Sequence, residues 1–452
     1  RRRARRQGAV RMGLRLRLPL AALAALSLGS AQTLAVRMGG ETRRVSVETS
    51  VEWAVAGEMG AVARPEALKA MAVVARSWIR SNRGRHRTEG FDFCQTTHCQ
   101  RLDPSASSAA IRRAVEETAG VILWYRGRPA QVFHSADCGG RTASAGEIWP
   151  GLARPYLPAK DDPWCLRREP GGWRAEIPWP RLAAALGLPG LRFLAVERRS
   201  ASGRVLSLRS GRGPVDAETL HLRVGRALGW SLLRSRFYEV ESRPHSAVFS
   251  GKGEGHGVGL CQKGAMEMAQ SGADFREILA FYFPGAAPGV SPRGLLWQRF
   301  TAGPVNVDTL EGAPPASLPL AAAAWDEARR RSGLDAPCRP RIREYPDTAL
   351  FRDATGAGGG LAAVSRGCFV HLHAPARLAA QGRLGPVLLH EMMHVLIEAN
   401  RRVPLPEWFE EGLAEYLSGG AARAAERARV EALVRRYGRA SVLDFLKTGL
   451  PQ

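Results

Sequence analysis

SVEWAVAGEMGAVARPEALKAMAVVARSWIR (50–80) contains two helices in succession. The first is predicted over Ser50–Met59, with Ser50 as its N-cap, and the second over Glu66–Arg80, opened by Pro65. In the second, Leu68, Met71, Ala72, Ala75 and Ile79 recur with the helical period and form one apolar face. Lys69 and Arg76, seven residues apart, share a different face, which from the residues alone reads as a solvated surface. Glu58 closes the first helix beside Val55, Ala56 and Met59, an apolar setting of the kind that desolvates a carboxyl group. Glu66 is the rival carboxylate, but it stands in a first helical turn, where acids are expected on electrostatic grounds alone.

Outward from this pair, short β-like runs precede it over 34–47, and mixed strands and helices continue to about residue 300. The stretch AGPVNVDTLEGAPPASLPL (302–320) is rich in Pro, Ala and Gly and reads as a linker. A mainly helical segment follows, long enough for one small domain. The expected class is α+β: residues 32–300 as a mixed helix/strand domain, 301–317 as linker, and 318–452 as a mainly helical α+β domain. At the other end, eight arginines precede the apolar run LPLAALAALSL (18–28) and small residues at 29–31. That is the pattern of a signal peptide over 1–31, so export to a periplasm, envelope or extracellular space is expected. The run is too short to span a bilayer, which leaves a peripheral membrane association at most.

Of 452 residues, 45% are hydrophobic and 24% charged, which argues against wholesale disorder and against a multi-span membrane protein. The net charge of +23 suits an anionic polymer or lipid surface. No aromatic RNA-binding motif or basic recognition helix accompanies it, so nucleic acid is not expected as a partner. Seven cysteines in an exported chain permit disulfides, and Cys338 with Cys368 is a candidate pair.

Four blocks then carry a resemblance: GEMG (57–60), EALKAMAVVARSW (66–78), HSADCGGRT (134–142) and GEGHGVGLCQKGAMEMAQSGADFREILAFYFPG (253–285), with RALGWSLLRSRFYEV (226–240) between the last two. In this order they resemble the stage II sporulation protein D/amidase-enhancer (SpoIID/LytB) family over about residues 34–290. The resemblance implies peptidoglycan glycan strands as partner and, in the sporulation branch, lytic transglycosylase activity. The 6-hydroxyl of N-acetylmuramic acid then displaces its own glycosidic oxygen, so one carboxyl group suffices where most glycosidases need two. Glu58 matches that carboxyl. Lys69 and Arg76 match cations lining the family's cleft, and His256 and Gln262 are expected on its opposite wall. Met71 departs from the usual glutamine, which implies altered packing. Amidase-enhancer relatives leave a second reading open, a non-catalytic module that binds the wall or activates another hydrolase.

Two further constellations concern metal. His86, Cys94, His98 and Cys99 lie within HRTEGFDFCQTTHCQ, a soft N/S set suited to a structural Zn²⁺. A disulfide from Cys99 to Cys94 or Cys138 would use the same thiols. In LGPVLLHEMMHVLIE (384–398), His390 and His394 at i and i+4 face one zinc ion, with Glu391 as the general base. Glu411 of PEWFEEGLAEYL (406–417) follows, and the pair of motifs resembles gluzincin metallopeptidases, in which this glutamate is the third ligand. Glu415 would hydrogen-bond a liganding histidine, while Glu410 points elsewhere on the helix. His371 and His373 alternate on a predicted strand. A peptide, a protein or another wall hydrolase would then be the second domain's partner.

Overall fold

The computed structural model describes residues 33–60, 63–167 and 172–451; the signal-peptide expectation lies outside them. Strands β1 (Thr33–Met38) and β2 (Glu41–Ser46) form a hairpin, and the short β3 (Phe93–Cys94) joins β1 in parallel. Helix α1 spans Val47–Met59 and begins earlier than the sequence indicated. Its N-cap is Ser46, whose hydroxyl accepts from the Thr49 N–H at 3.0 Å, whereas Ser50 is buried inside the helix. The true cap lies directly at a strand end, where an extended residue can turn into a helix without an intervening loop.

Helix α2 runs Pro65–Asn82. The predicted stripe of Leu68, Met71, Ala72, Ala75 and Ile79 is buried, but so are Val73, Val74 and Trp78 on other faces. The helix is enclosed on several sides by α1, by α3 (Ala109–Glu117) and by the helices Gln262–Gln270 and Phe275–Tyr282. Small alanines on α2 permit that close packing.

Between residues 172 and 252 the chain builds a unit with its own core. Strands Gly172–Pro178, Tyr238–Ser242 and Ser246–Lys252 form one three-stranded sheet; Leu194–Arg199, Val205–Ser210 and Gly213–Asp216 form another. Trp179, Leu182, Leu208, Leu220 and Phe249 fill the space between sheets and helices. The region read as one domain thus contains two hydrophobic cores.

The segment read as a linker is not one. Trp297–Ala302 pairs antiparallel with Val305–Leu310, which runs parallel to Arg341–Tyr345 in a five-stranded sheet. Phe369–His373 and Ala363–Arg366 complete that sheet. The glycine and proline signals belong to the tight turn at Gly303 (φ +55°) and to the chain before the helix Leu318–Ser332, while Val305 and Val307 enter the core. Helices Leu384–Asn400 and Glu407–Ser418 pack against this layer through Leu388, Met392, Phe409 and Leu413. Cys338 and Cys368 form a disulfide, as expected.

A buried ion network joins the two halves. Arg343 is fully buried, bonds Asp308 at 3.0 Å, donates to the Glu116 carbonyl of α3 and lies over the Trp297 ring. Trp297 itself donates to the Ala119 carbonyl at 2.8 Å. Among the described residues no helix is long and apolar enough to cross a membrane.

Candidate functional sites

Glu58 sits in the last turn of α1, half-buried. Its Oε1 accepts the Arg101 backbone N–H at 3.0 Å, and its Oε2 lies 3.4 Å from the side-chain amide of Gln262. Gly57 makes the first contact possible, because a Cβ there would collide with the Arg101 carbonyl. Gln262 also reaches His134 Nδ1 at 3.3 Å. The two-residue strands His134–Ser135 and Leu260–Cys261 pair in parallel, so HSADCGGRT and GHGVGLCQ meet at one wall facing Glu58. His134 was not singled out from the sequence, although it opens a quoted block. Burial lowers its imidazole pKa, against the raising influence of Glu58.

His256 stands behind this wall. Its ring meets Trp149 and Phe133 edge-on, and Nδ1 accepts the Val258 N–H at 3.0 Å. Desolvation, with the nearby charges of His134 and Arg204, pushes its pKa down to about 3, so the imidazole is neutral.

The two cations of α2 do not line the cleft as expected. Arg76 is buried and forms a bidentate pair with Glu48 (2.6 and 2.8 Å), and it donates to the Val121 carbonyl at 2.9 Å. A planar guanidinium with matched acceptors is a structural clamp between α1, α2 and the chain after α3. Lys69 is paired with Glu66 at 2.7 Å and Glu117 at 2.8 Å, and Glu117 in turn approaches Arg341 at 3.8 Å. Lys69 therefore belongs to the ion network between the two halves. Glu66 is committed as well, since its second oxygen accepts the Phe275 N–H at 2.9 Å. Of the two rival carboxylates, only Glu58 faces the Gln262–His134 wall.

His86, Cys94, His98 and Cys99 converge, with one donor atom from each lying within 4.8 Å of the others. His86 Nε2 is 3.3 Å from Cys99 Sγ, and both thiols are unpaired. Burial opposes ionisation of Cys94, but hydrogen bonds from Thr96 and His98 outweigh it and bring the pKa down to about 6; burial pushes Cys99 up to about 11. Cys138 lies in a separate cluster with Cys165 and Cys261, so it is not the mate of Cys99. The donor set fits tetrahedral zinc.

His390, His394 and Glu411 also converge within 4.8 Å. Glu411 lies 3.9 Å from His390 Nε2 and 3.7 Å from His394 Nε2, while Glu415 stands 3.7 Å from His390 Nδ1. Desolvation and His394 hold the His390 pKa at about 4, leaving a neutral imidazole. Glu391 is buried, and that burial raises its pKa. Glu410 is turned away and pairs with Arg401. The triad opens into a cavity of about 940 Å³ bordered by the edge-strand residues Ala363–Ser365 and by Arg423. His371 and His373 lie elsewhere: Phe369–His373 is an interior strand, with His371 bonded to Tyr345 and His373 to Thr348.

Residues 39–125 match the SpoIID family, stage II sporulation protein. The chain carries a SpoIID domain. An uncharacterised protein of Brachyspira hyodysenteriae is 30% identical over 247 residues, covering 53% of this chain and 66% of that one. The amidase enhancer of Bacillus subtilis is 25% identical over 283 residues, 51% of this chain and 39% of its own length. Stage II sporulation protein D of the same organism is 27% identical over 269 residues, 53% and 74% respectively. The SpoIID match includes Glu58, α2 and the His86–Cys99 loop.

Proposed function

We propose that the chain is a cell-envelope enzyme whose SpoIID domain is a lytic transglycosylase and whose last domain is a zinc metallopeptidase. The SpoIID match and the amidase-enhancer relative support a cell-wall-related role and an envelope or exported location. The observation that carries the first activity is the pairing of Glu58 with Gln262 across the domain. It sets one carboxylate against a wall built from two other motifs.

In the reaction Glu58 gives a proton to the glycosidic oxygen that leaves with N-acetylglucosamine. It then takes one from the 6-hydroxyl of the muramic acid as that oxygen bonds to the anomeric carbon. No water is consumed, and an anhydro end results. Gln262 and the Arg101 N–H hold the carboxylate in place through both proton transfers. In the last domain His390, His394 and Glu411 would hold zinc, which supplies Lewis acidity to a peptide carbonyl. Glu391, which lines the same cavity, would take a proton from the attacking water and pass it to the departing amine, and Glu415 would orient His390.

Digestion of purified glycan strands by the wild type and by Glu58→Gln, read by mass spectrometry, tests the first activity. Anhydro-ended fragments from the wild type alone are expected. Binding without fragments from either protein would reduce the domain to a wall-binding, amidase-enhancing module. Peptide-bond cuts that survive Glu58→Gln belong to the HExxH centre.

A further inference from the structure

Directly behind the Glu58-facing wall lies a cluster that plays no part in the proposed chemistry. Cys138, Cys165, Cys261 and Asp162 come from three separate stretches of chain, and all four are buried. One donor atom from each lies within 4.8 Å of the others. We infer that these four side chains are a tetrahedral site for a thiophilic divalent cation, zinc by chemistry, which fastens the rear of the cleft wall.

The donor set and its surroundings support this. With Zn–S bonds of about 2.3 Å, ligand sulfurs in a tetrahedron stand about 3.8 Å apart, inside the 4.8 Å within which all four donor atoms already lie. Cys261 Sγ already accepts two backbone N–H groups, from Cys138 at 3.3 Å and Gly264 at 3.5 Å, as the N-cap of the helix Gln262–Gln270. Such donors stabilise a thiolate. Asp162 is held by the Cys165 N–H at 3.1 Å and the Tyr282 hydroxyl at 2.8 Å, which aim its carboxylate at the sulfurs. The buried guanidinium of Arg204 bonds the Cys138 carbonyl at 3.0 Å and offsets the negative charge of three thiolates and a carboxylate around a divalent ion. A disulfide would use only two of the sulfurs. It would leave the third thiol buried beside a buried carboxylate whose described hydrogen-bond donors are all neutral.

Cation binding displaces the thiol protons to solvent and changes no oxidation state. Since Cys261 precedes Gln262 and Cys138 follows His134 on the same short loop, the ion would fix both residues that face Glu58. That consequence rests on the cleft reading, whereas occupancy by metal does not.

The test uses the full chain with Cys94→Ser and Cys99→Ser, which removes the thiols of the other sulfur-bearing cluster. Titration with Co²⁺ should give a thiolate-to-cobalt charge-transfer band that saturates within two equivalents, the other cation being taken by the His390–His394–Glu411 centre, and adding Cys165→Ser should abolish or sharply weaken the band. The His390–His394–Glu411 centre contains no sulfur and cannot give this band. Zinc content provides a second readout: Cys165→Ser in the wild-type background should lose one equivalent. Absence of the band, unchanged zinc content in Cys165→Ser, or a disulfide among the three cysteines in the non-reduced protein would each overturn the site. Metal binding with unchanged glycan cleavage in Cys165→Ser would retain the site and remove its role in the cleft.

Discussion

The side-chain amide of Gln262 stands 3.4 Å from Oε2 of Glu58, although 204 residues separate them in the chain. The contact joins the end of α1 to a strand–helix junction far along the chain. If Gln262 holds Glu58 for proton transfer, Gln262→Ala should slow glycan cleavage by roughly 10- to 100-fold, the worth of about 1.5–3 kcal/mol for a hydrogen bond to a charged group. Glycan affinity should change much less. Steady-state cleavage and a binding isotherm on the same strands check this, and an equal loss in both would make Gln262 a binding group only.

Gly57 acts on the same carboxylate from the other side. A methyl group there meets the Arg101 carbonyl, so Gly57→Ala must push the 101 segment away and lengthen its N–H contact with Glu58. A loss of about tenfold in cleavage is expected, about 1.4 kcal/mol of barrier, with far-UV circular dichroism unchanged. Wild-type cleavage by Gly57→Ala would show that the Arg101 N–H does not position Glu58.

Arg76 should behave as a structural residue. Arg76→Met leaves the half-buried Glu48 without its guanidinium and should cost about 2–4 kcal/mol in denaturant unfolding. Changing Glu48→Leu as well should recover much of that loss, since an apolar pair replaces a buried ion pair with little penalty. If Arg76→Met kept full stability and lost only glycan binding, the cleft role expected from the sequence would be restored.

The contrast between Arg76 and the HExxH helix shows what the sequence made legible. His390 and His394 are neighbours through helical geometry alone, so their convergence can be read from their spacing, and the apolar stripe of α2 follows from the same logic. Arg76 stands among Val73, Val74, Ala75 and Trp78, which hints at burial. Its partner Glu48 is fixed only by the packing of α1 on α2. Cys138 and Cys261 are 123 residues apart and meet through a two-residue parallel pairing that no local pattern announces. Residues 302–320 misled because Pro and Gly mark turns as readily as linkers. The alternation of Val305 and Val307 was the better signal there.

For the last domain, Glu391→Gln and His394→Ala should separate metal binding from hydrolysis. Glu391→Gln keeps all three proposed ligands, so zinc content should hold while peptide cleavage falls by about 10²–10⁴-fold, the usual scale of general acid–base catalysis. His394→Ala should lose both. A chelator should stop peptide cleavage in the wild type, and zinc analysis beside a peptide-release assay reads each outcome. Peptide cleavage by metal-free protein would remove zinc from the proposal.

Asp308 gives the joint between the two halves a defined response to acid. Burial alone would raise its pKa, but Arg343 and Arg341 outweigh burial and hold it below the ordinary aspartate value. The folded state therefore binds the proton less readily than the unfolded chain does. The resulting stability is fully present above the ordinary value and is lost as pH falls through the lower native one. Between pH 7 and about 5 this pair should leave the unfolding midpoint unchanged, and below about pH 4 it should contribute a progressive fall. Asp308→Asn should lower stability at neutral pH, because Arg343 stays buried with its countercharge gone, and should flatten that part of the acid response. Thermal unfolding of both proteins from pH 7 to pH 3 decides the matter. Parallel acid profiles would show that other carboxylates, not Asp308, govern the joint.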